Sequence, residues 1–138
     1  MRQSIPRSVA VLAVLHALAA LVFGALAHIE PTNQFPELVT NDDGLFAVSL
    51  YANRNIGVGL SLLVALAIGS RWALMGLFAA RFVTDAADLI TAFTQVDGAG
   101  AVVGQLVFFG LLFASELYVL RTLFRLETNN VNHSEVAV

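Results

Sequence analysis

Three ionisable residues interrupt one long apolar segment of this chain, and they restrict the folds that it can adopt. Arg81, Asp85 and Asp88 lie inside the otherwise hydrophobic run 72–96. In an α-helix, positions i, i+4 and i+7 share one face, so the three side chains project to the same side. A charge that faced lipid at the centre of a membrane would cost about 2.5–3.5 kcal/mol. The fold must therefore surround this face with other helices.

The amino-acid composition indicates that the chain that carries these charges is a membrane protein. The chain has 138 residues, of which 58% are hydrophobic and 12% are charged, whereas a soluble domain has about 25% charged residues. It contains no cysteine, which excludes disulfides, thiolate catalysis and cysteine-based metal sites. All seven basic residues are arginine, and no basic stripe suggests a nucleic-acid partner. We therefore predict an all-α integral membrane protein with the lipid bilayer as its first partner.

Four apolar runs are each near the ~20 residues that a membrane span requires. They predict helices over residues 8–28, 45–69, 72–95 and 101–126. These helices form one predicted domain over 1–127, followed by a flexible cytoplasmic tail over 128–138. The first run also resembles a signal peptide with an Ala-Leu-Ala cleavage site at 25–27, but it is long for that role and a span is favoured.

Arginine placement predicts the orientation of the helices. The arginines that flank the apolar runs all fall on one predicted side of the membrane: Arg2, Arg7, Arg71, Arg121 and Arg125. The loop 30–44 and the turn 97–100, on the other side, contain none. By the positive-inside rule both termini are cytoplasmic. Four spans with short turns predict an antiparallel four-helix bundle in a multi-pass membrane protein.

The sequence also contains local signals for the ends of helices and for contacts between helices. Ser8 is a predicted N-cap of the first helix, and Gly69 is predicted to end the second. The second run also contains Gly57 and Ser61, a small-xxx-small pair, with Gly59 between them. Such residues allow another helix to approach closely.

The polar groups inside the apolar runs fall into two predicted layers, at ~1.5 Å per helical residue. The outer layer contains Arg54, Asp85 and Asp88, and Arg54 is expected to contact one of these carboxylates. The inner layer contains His16, Arg81 and Glu116. Two arginines then face three carboxylates, and a protonated His16 or one protonated carboxylic acid would balance the charge. A network of this kind either marks a functional site or only fixes the register of the helices.

The sequence YANRNIGVGL at 51–60 carries a family resemblance. Together with the Arg71-containing turn and a third helix with carboxylates, it resembles the DoxX-like group of small four-helix membrane proteins. In that group an arginine often opens the second helix ahead of a glycine-rich stretch, as Arg54, Gly57 and Gly59 do here. The resemblance covers residues 45–92 and implies the fold. It implies no particular activity, because the group includes accessory subunits of respiratory enzymes together with many members of unassigned role.

Three functions are compatible with the pattern. The first is a protein that binds a small lipophilic molecule or a partner subunit, as a homo-oligomer or in a larger complex. Its predicted binding residues are Tyr51, Asn53, Asn55, Arg81, Glu116 and His16. The second is a membrane-embedded acid/base enzyme of the epoxide hydrolase, cyclase or isomerase type. In that scheme Asp85 or Asp88 is the acid or base and Arg54 or Arg81 the positioning cation, which resembles the Asp-Arg-Asp set of limonene-type epoxide hydrolases in residue types.

The third function is a proton or ion pathway, although four helices leave little room for a pore in a single chain. No cofactor is expected, because the sequence contains no phosphate loop or dinucleotide fingerprint. No metal is expected either, because His16 and His28 lie too far apart in depth to share a metal ion.

Overall fold

The computed structural model describes residues 4–36, 39–95 and 99–135, with side chains for all of these except 34, 91–95, 99–102 and 130–135. The described chain is all-helical, which confirms the predicted class. Its five helices are α1 Arg7–Ile29, α2 Pro31–Gln34, α3 Asp42–Ile68, α4 Arg71–Gln95 and α5 Ala99–Glu135. Contacts within the chain divide it into two compact units, unit 1 (Met1–Ser70) and unit 2 (Arg71–Val138).

Helices α1 and α3 of unit 1 pack through small residues. A Cβ atom added to Gly24 would lie 2.8 Å from the carbonyl oxygen of Ala52, and one added to Gly59 would lie 2.9 Å from that of Ala17. The two backbones therefore touch where only glycine fits. A Cβ on Gly57 would meet nothing within 4 Å, and Ser61 is exposed. The predicted Gly57–Ser61 pair is thus not at this contact, because it lies on another face of α3.

The ends of α3 follow from their sequence. Asn41 is the N-cap, and its side-chain oxygen accepts a hydrogen bond of 2.8 Å from the backbone N–H of Gly44. At the other end Gly69 has φ 68°, and Ser70 N–H donates to the carbonyl of Ala65 at 3.1 Å. This is a Schellman ending, which needs a residue that adopts positive φ without strain.

The start of α1 and the presence of α2 differ from the sequence prediction. Helix α1 has Pro6 rather than Ser8 at its N-cap, and the Pro6 carbonyl accepts a hydrogen bond from Ala10 N–H at 3.0 Å. The short α2 was not predicted; it begins with Pro31 in the first turn, where proline is favoured. Proline fits both positions because neither needs an amide hydrogen.

Helix α5 continues to Glu135, past its predicted end at 126. Its final residues, from 126 to 135, contain no glycine or proline to stop it. The helix therefore extends into the predicted flexible tail. Its length also places Glu127 on a helix, where its carboxylate forms an ion pair with Arg71 of α4 at 3.2 Å.

Three helical segments among the described residues are long and apolar enough to cross a membrane: Arg7–Ile29, Asp42–Ile68 and Val103–Asn129. Many of their large apolar side chains are exposed, Leu111 at 70% among them, as expected of surfaces that meet lipid rather than water. Helix α4, the site of the three charges, does not meet this criterion.

Candidate functional site: Arg81 with two buried carboxylates

The sequence of α4 and α5 places a charged group on the inner face of each helix. On α4 the buried residues Leu74, Phe78, Arg81 and Asp85 recur every three or four positions. On α5 Glu116, Val119 and Leu123 do the same. This spacing is that of one helical face. The charges thus lie in line with apolar side chains that are completely buried.

Arg81 is the centre of the cluster that these faces form. Its Nε lies 3.2 Å from Asp85 Oδ2, one turn along α4, and 3.4 Å from Glu116 Oε1 on α5. Two carboxylates therefore approach the same nitrogen atom and must lie close to each other. We name Arg81, Asp85 and Glu116 the Arg81 cluster.

The Arg81 cluster is almost completely shielded from solvent. Glu116 is 0% exposed, Asp85 8% and Arg81 9%. At this burial the opposite charges attract strongly, but removing them from water carries a large penalty. The cluster therefore requires close charge balance.

Hydrogen bonding in the cluster is incomplete. Arg81 Nε and Asp85 Oδ2 are both buried and make no hydrogen bond within the described part of the chain. Charge proximity rather than an aligned N–H···O bond holds this pair together. Buried polar atoms in proteins are nearly always hydrogen-bonded, and the nearest groups to Asp85 Oδ2 are those of the cluster itself.

Aromatic residues precede or follow members of the cluster in sequence, and their rings contact each other between α4 and α5. Phe82, next to Arg81, meets Phe113 of α5 edge to face with ring centroids 5.0 Å apart, and Phe113 is three residues from Glu116. Phe109 follows at 6.2 Å from Phe113. Further along the same face of α5 the side-chain oxygen of Gln105 is buried, with no hydrogen-bond partner among the described residues.

The cluster combines residues that the sequence assigned to different layers. Asp85 was predicted in an outer layer with Asp88, and Glu116 in an inner layer with Arg81. The structure brings Asp85 and Glu116 together on Arg81, because one helical turn lets the Asp85 carboxylate reach back to the guanidinium. Asp88, one turn further, is half-buried.

Arg54 lies in unit 1 and is exposed. Its guanidinium carbon lies 5.3 Å from the ring centroid of Tyr51, a cation–π contact. The Tyr51 ring also meets Phe35 edge to face at 5.1 Å. Because Asp85 and Asp88 belong to unit 2, the pairing of Arg54 with either carboxylate stays a prediction.

The other predicted binding residues of unit 1 have local roles. Asn55 is half-buried and donates a hydrogen bond of 3.0 Å to the carbonyl of Tyr51, one turn back. Asn53 Oδ1 lies 3.1 Å from His28 Nε2, so this polar contact links α1 to α3. His16 is buried at 5% exposure; its place beside Arg81 and Glu116 stays a prediction.

One buried ion pair escaped prediction from sequence. Arg71 is buried, and its Nη1 lies 3.2 Å from Glu127 Oε1. Arginine placement identifies Arg71 only as a topology signal, and Glu127 lies just beyond the predicted end of the fourth helix. Among the described residues no group of three or more His, Cys, Asp or Glu could hold a metal ion.

No family model, no curated protein and no solved structure matches this chain.

Proposed function

We propose that this chain is a multi-pass membrane protein whose four long helices form an antiparallel bundle with both termini in the cytoplasm. Support comes from the three segments that are apolar enough to cross a membrane and from the flanking arginines, which share one predicted side. Helix α4 is the remaining span of the four. Its charged face is tolerated in the membrane because Arg81 and Asp85 are buried in protein. The resemblance to the DoxX-like group agrees with this architecture.

The absence of cysteine allows a direct test of this topology. Asn33→Cys and Asn129→Cys each replace an exposed asparagine. In intact cells an impermeant maleimide should label Asn33→Cys and should label Asn129→Cys only after the membrane is permeabilised. The reverse pattern would contradict the orientation.

Within this bundle the Arg81 cluster is proposed to anchor a small lipophilic molecule. The observation that carries the proposal is that one buried guanidinium nitrogen lies within 3.4 Å of carboxylates from two different helices. Fixing the register of α4 against α5 would need a single pair. A purely structural role would not need the second carboxylate, which adds a desolvation penalty. An ionisable cluster inside a membrane protein is a functional site by default.

Acid/base catalysis is the second candidate function. Two carboxylates that share one guanidinium can differ in protonation, which is what an acid and a base in one site require. The geometry favours Asp85 and Glu116 for these roles, with Arg81 as the positioning cation, rather than the Asp85–Asp88 pair. The same cluster is also compatible with a role as an accessory subunit or as part of a proton pathway. Neither needs a cofactor, a metal or nucleic acid.

The test is ligand-dependent thermal unfolding of the full chain, purified in a non-ionic detergent. A panel of lipophilic compounds with cationic, neutral and anionic groups is added at equal concentration. A ligand of the cluster raises the melting temperature by binding the folded state.

Two matched substitutions locate the effect. Glu116→Gln should abolish the stabilisation, whereas Glu127→Gln, which alters the other buried ion pair of unit 2, should preserve it. Stabilisation by no compound, or equal stabilisation in both variants, would return the cluster to a structural role. Conversion of a bound compound to product would select the enzyme over the binding protein.

A further inference from the structure

One exposed face of α5 becomes more polar towards the end of the helix. Its side chains recur every three or four residues, the spacing of a single helical face, and all of them are exposed: Leu111, Ala114, Tyr118, Arg121 and Arg125. We name this set the α5 outer face. At ~1.5 Å per residue it spans about 21 Å, the thickness of one membrane leaflet with its headgroups. Its order of apolar, aromatic and cationic residues follows the polarity of a leaflet from acyl chains to phosphate.

The two arginines of the α5 outer face have no acidic partner among the side chains that the structure describes. Glu127 is the only acidic residue of the segment 117–134, and its carboxylate lies 3.2 Å from Nη1 of Arg71 on α4. That ion pair is neutral and mostly buried, so it leaves the positive charge of Arg121 and Arg125 in place. Positions i and i+4 put both guanidinium groups on one side of the helix, a single turn apart.

The apolar part of the α5 outer face has room for a lipid chain. Gly110 lies four residues before Ala114, on the same side of the helix, and both are exposed. A Cβ atom added to Gly110 would meet nothing within 4 Å. Small residues allow another apolar chain to approach the helix backbone closely. An acyl chain can therefore lie against α5 beside the arginines.

We propose that the α5 outer face binds an anionic glycerophospholipid. Arg121 and Arg125 hold its phosphate, because guanidinium groups donate paired hydrogen bonds to phosphate oxygens. One acyl chain lies along Gly110 and Ala114. A zwitterionic lipid has the same phosphate but adds a cationic group near the arginines, so it binds more weakly. This inference rests on the part of the proposed function that places α5 across a membrane, and it is independent of any ligand of the Arg81 cluster.

The charge of the α5 outer face favours a lipid over a second copy of this chain. In a two-fold dimer with its axis along the membrane normal, the same face of each copy would meet at the same height. Arg121 and Arg125 of the two copies would then be opposed, and like charges across an interface are unfavourable. Anionic headgroups attract the same arginines and add the attraction of a negatively charged membrane surface.

The experiment measures lipid binding at the α5 outer face by quenching of tryptophan fluorescence. The chain has one tryptophan, Trp72, so Trp72→Phe with Tyr118→Trp puts a single reporter one turn from Arg121. The full chain is reconstituted in vesicles of phosphatidylcholine and phosphatidylglycerol, with bromine on the acyl chains of either lipid. The reporter should show a preference of at least about tenfold for phosphatidylglycerol.

A second reporter provides the matched control within the same helix. Val103→Trp, again with Trp72→Phe, lies at an exposed position about 27 Å from Arg121 along the helix axis. No arginine lies near it in sequence. This reporter should be quenched equally by the two brominated lipids.

Substitutions assign the preference to the two arginines. Arg121→Gln and Arg125→Gln should each lower the preference at position 118 about fivefold, whereas Arg121→Lys should keep most of it. Arg125→Gln alone carries the test if Arg121→Gln does not fold. Arg7→Gln removes an exposed arginine from the same predicted side of the membrane and should leave the preference within about twofold of its original value.

Each contrary result has a distinct meaning. Quenching of both reporters without preference for phosphatidylglycerol overturns the lipid site but leaves the membrane span in place. An equal loss of preference in Arg7→Gln and Arg121→Gln overturns it as well, because the general surface potential then explains the binding. Quenching at position 103 but not at 118 means that protein, such as a second copy, covers the arginines. Quenching at neither position means that α5 does not meet lipid, and the proposed span fails together with the lipid site.

Discussion

Two helix pairs in this protein are held together by opposite means. In unit 1, α1 and α3 meet through glycine and alanine, and Gly24 and Gly59 leave no space for a Cβ atom. In unit 2, the buried faces of α4 and α5 combine apolar side chains with charge, and Arg81 lies between Asp85 and Glu116. The polar His28–Asn53 pair of unit 1 is exposed, whereas the Arg81 cluster of unit 2 is buried.

The comparison separates packing from function. Lipid is as apolar as a helix surface, so helices in a membrane associate through close packing or polar contacts rather than through the hydrophobic effect. The α1–α3 pair needs only close packing, which carries no chemistry. The α4–α5 pair accepts the penalty of buried charge, and that penalty is unexplained unless the charges serve a purpose. The predictions below test this contrast, in order of decreasing effect.

Removal of the central cation should have the largest effect. Arg81→Leu leaves Asp85 and Glu116 buried without their counter-charge, and we expect a loss of about 3–5 kcal/mol in the free energy of unfolding. The measurement is reversible unfolding in mixed micelles. The matched control is Arg54→Leu, where the guanidinium is exposed and contacts Tyr51, with an expected loss of about 1 kcal/mol or less. Equal losses would mean that burial of Arg81 has no energetic consequence.

Unit 1 should respond to volume instead of charge. Gly24→Ala adds a Cβ atom 2.8 Å from the Ala52 carbonyl oxygen, and such overpacking costs about 1–3 kcal/mol. Gly57→Ala introduces the same atom where nothing lies within 4 Å. Alanine favours helix over glycine, so this control should be neutral or stabilising by up to about 1 kcal/mol. Destabilisation by Gly57→Ala to the same degree would contradict the α1–α3 contact.

The Arg71–Glu127 pair should show a smaller, measurable coupling. We expect a double-mutant cycle with Arg71→Gln and Glu127→Gln to give an interaction free energy of about 1 kcal/mol, because both side chains are mostly buried. Strict additivity of the two losses would mean that the groups do not interact. It would also indicate that α5 does not continue as a helix through Glu127.

The smallest effect on stability should come from Glu116→Gln. Arg81 keeps Asp85 as a partner of opposite charge, and glutamine keeps the shape of the glutamate side chain. We therefore expect a change of about 1 kcal/mol or less in the free energy of unfolding. A loss equal to that of Arg81→Leu would show that the Glu116 charge is needed for folding, and it would remove the contrast between a structural pair and a functional second carboxylate.

Much of the local structure could be predicted from sequence because it depends on near neighbours. Asn41 and Gly69 mark the ends of α3 through contacts within a single helical turn. Arg81 and Asp85 pair because the helix repeat brings i and i+4 together. The predicted end of α5 at 126 differs from the observed end at Glu135, because a polar segment without a helix-breaking residue can continue a helix.

The choice of partners between helices could not be predicted in this way. Gly57 and Gly59 are equivalent by local sequence, yet only Gly59 faces α1. Depth along the helix axis assigned Asp85 and Glu116 to different layers, yet both reach Arg81. A depth estimate carries no information about helix rotation or about the length and direction of a side chain.

The sequence alone thus determined the all-helical class, the charged face of α4 and three of the four predicted spans, which are long and apolar enough to cross a membrane. Those features follow from local propensity, capping and hydrophobic periodicity, which act over a few residues. Only the tertiary structure decided that Glu116 joins Arg81 and Asp85, that Gly24 and Gly59 form the close contact of unit 1, and that Arg71 pairs with Glu127. Each of these depends on the rotation and relative height of two packed helices, which the combined packing of many side chains sets.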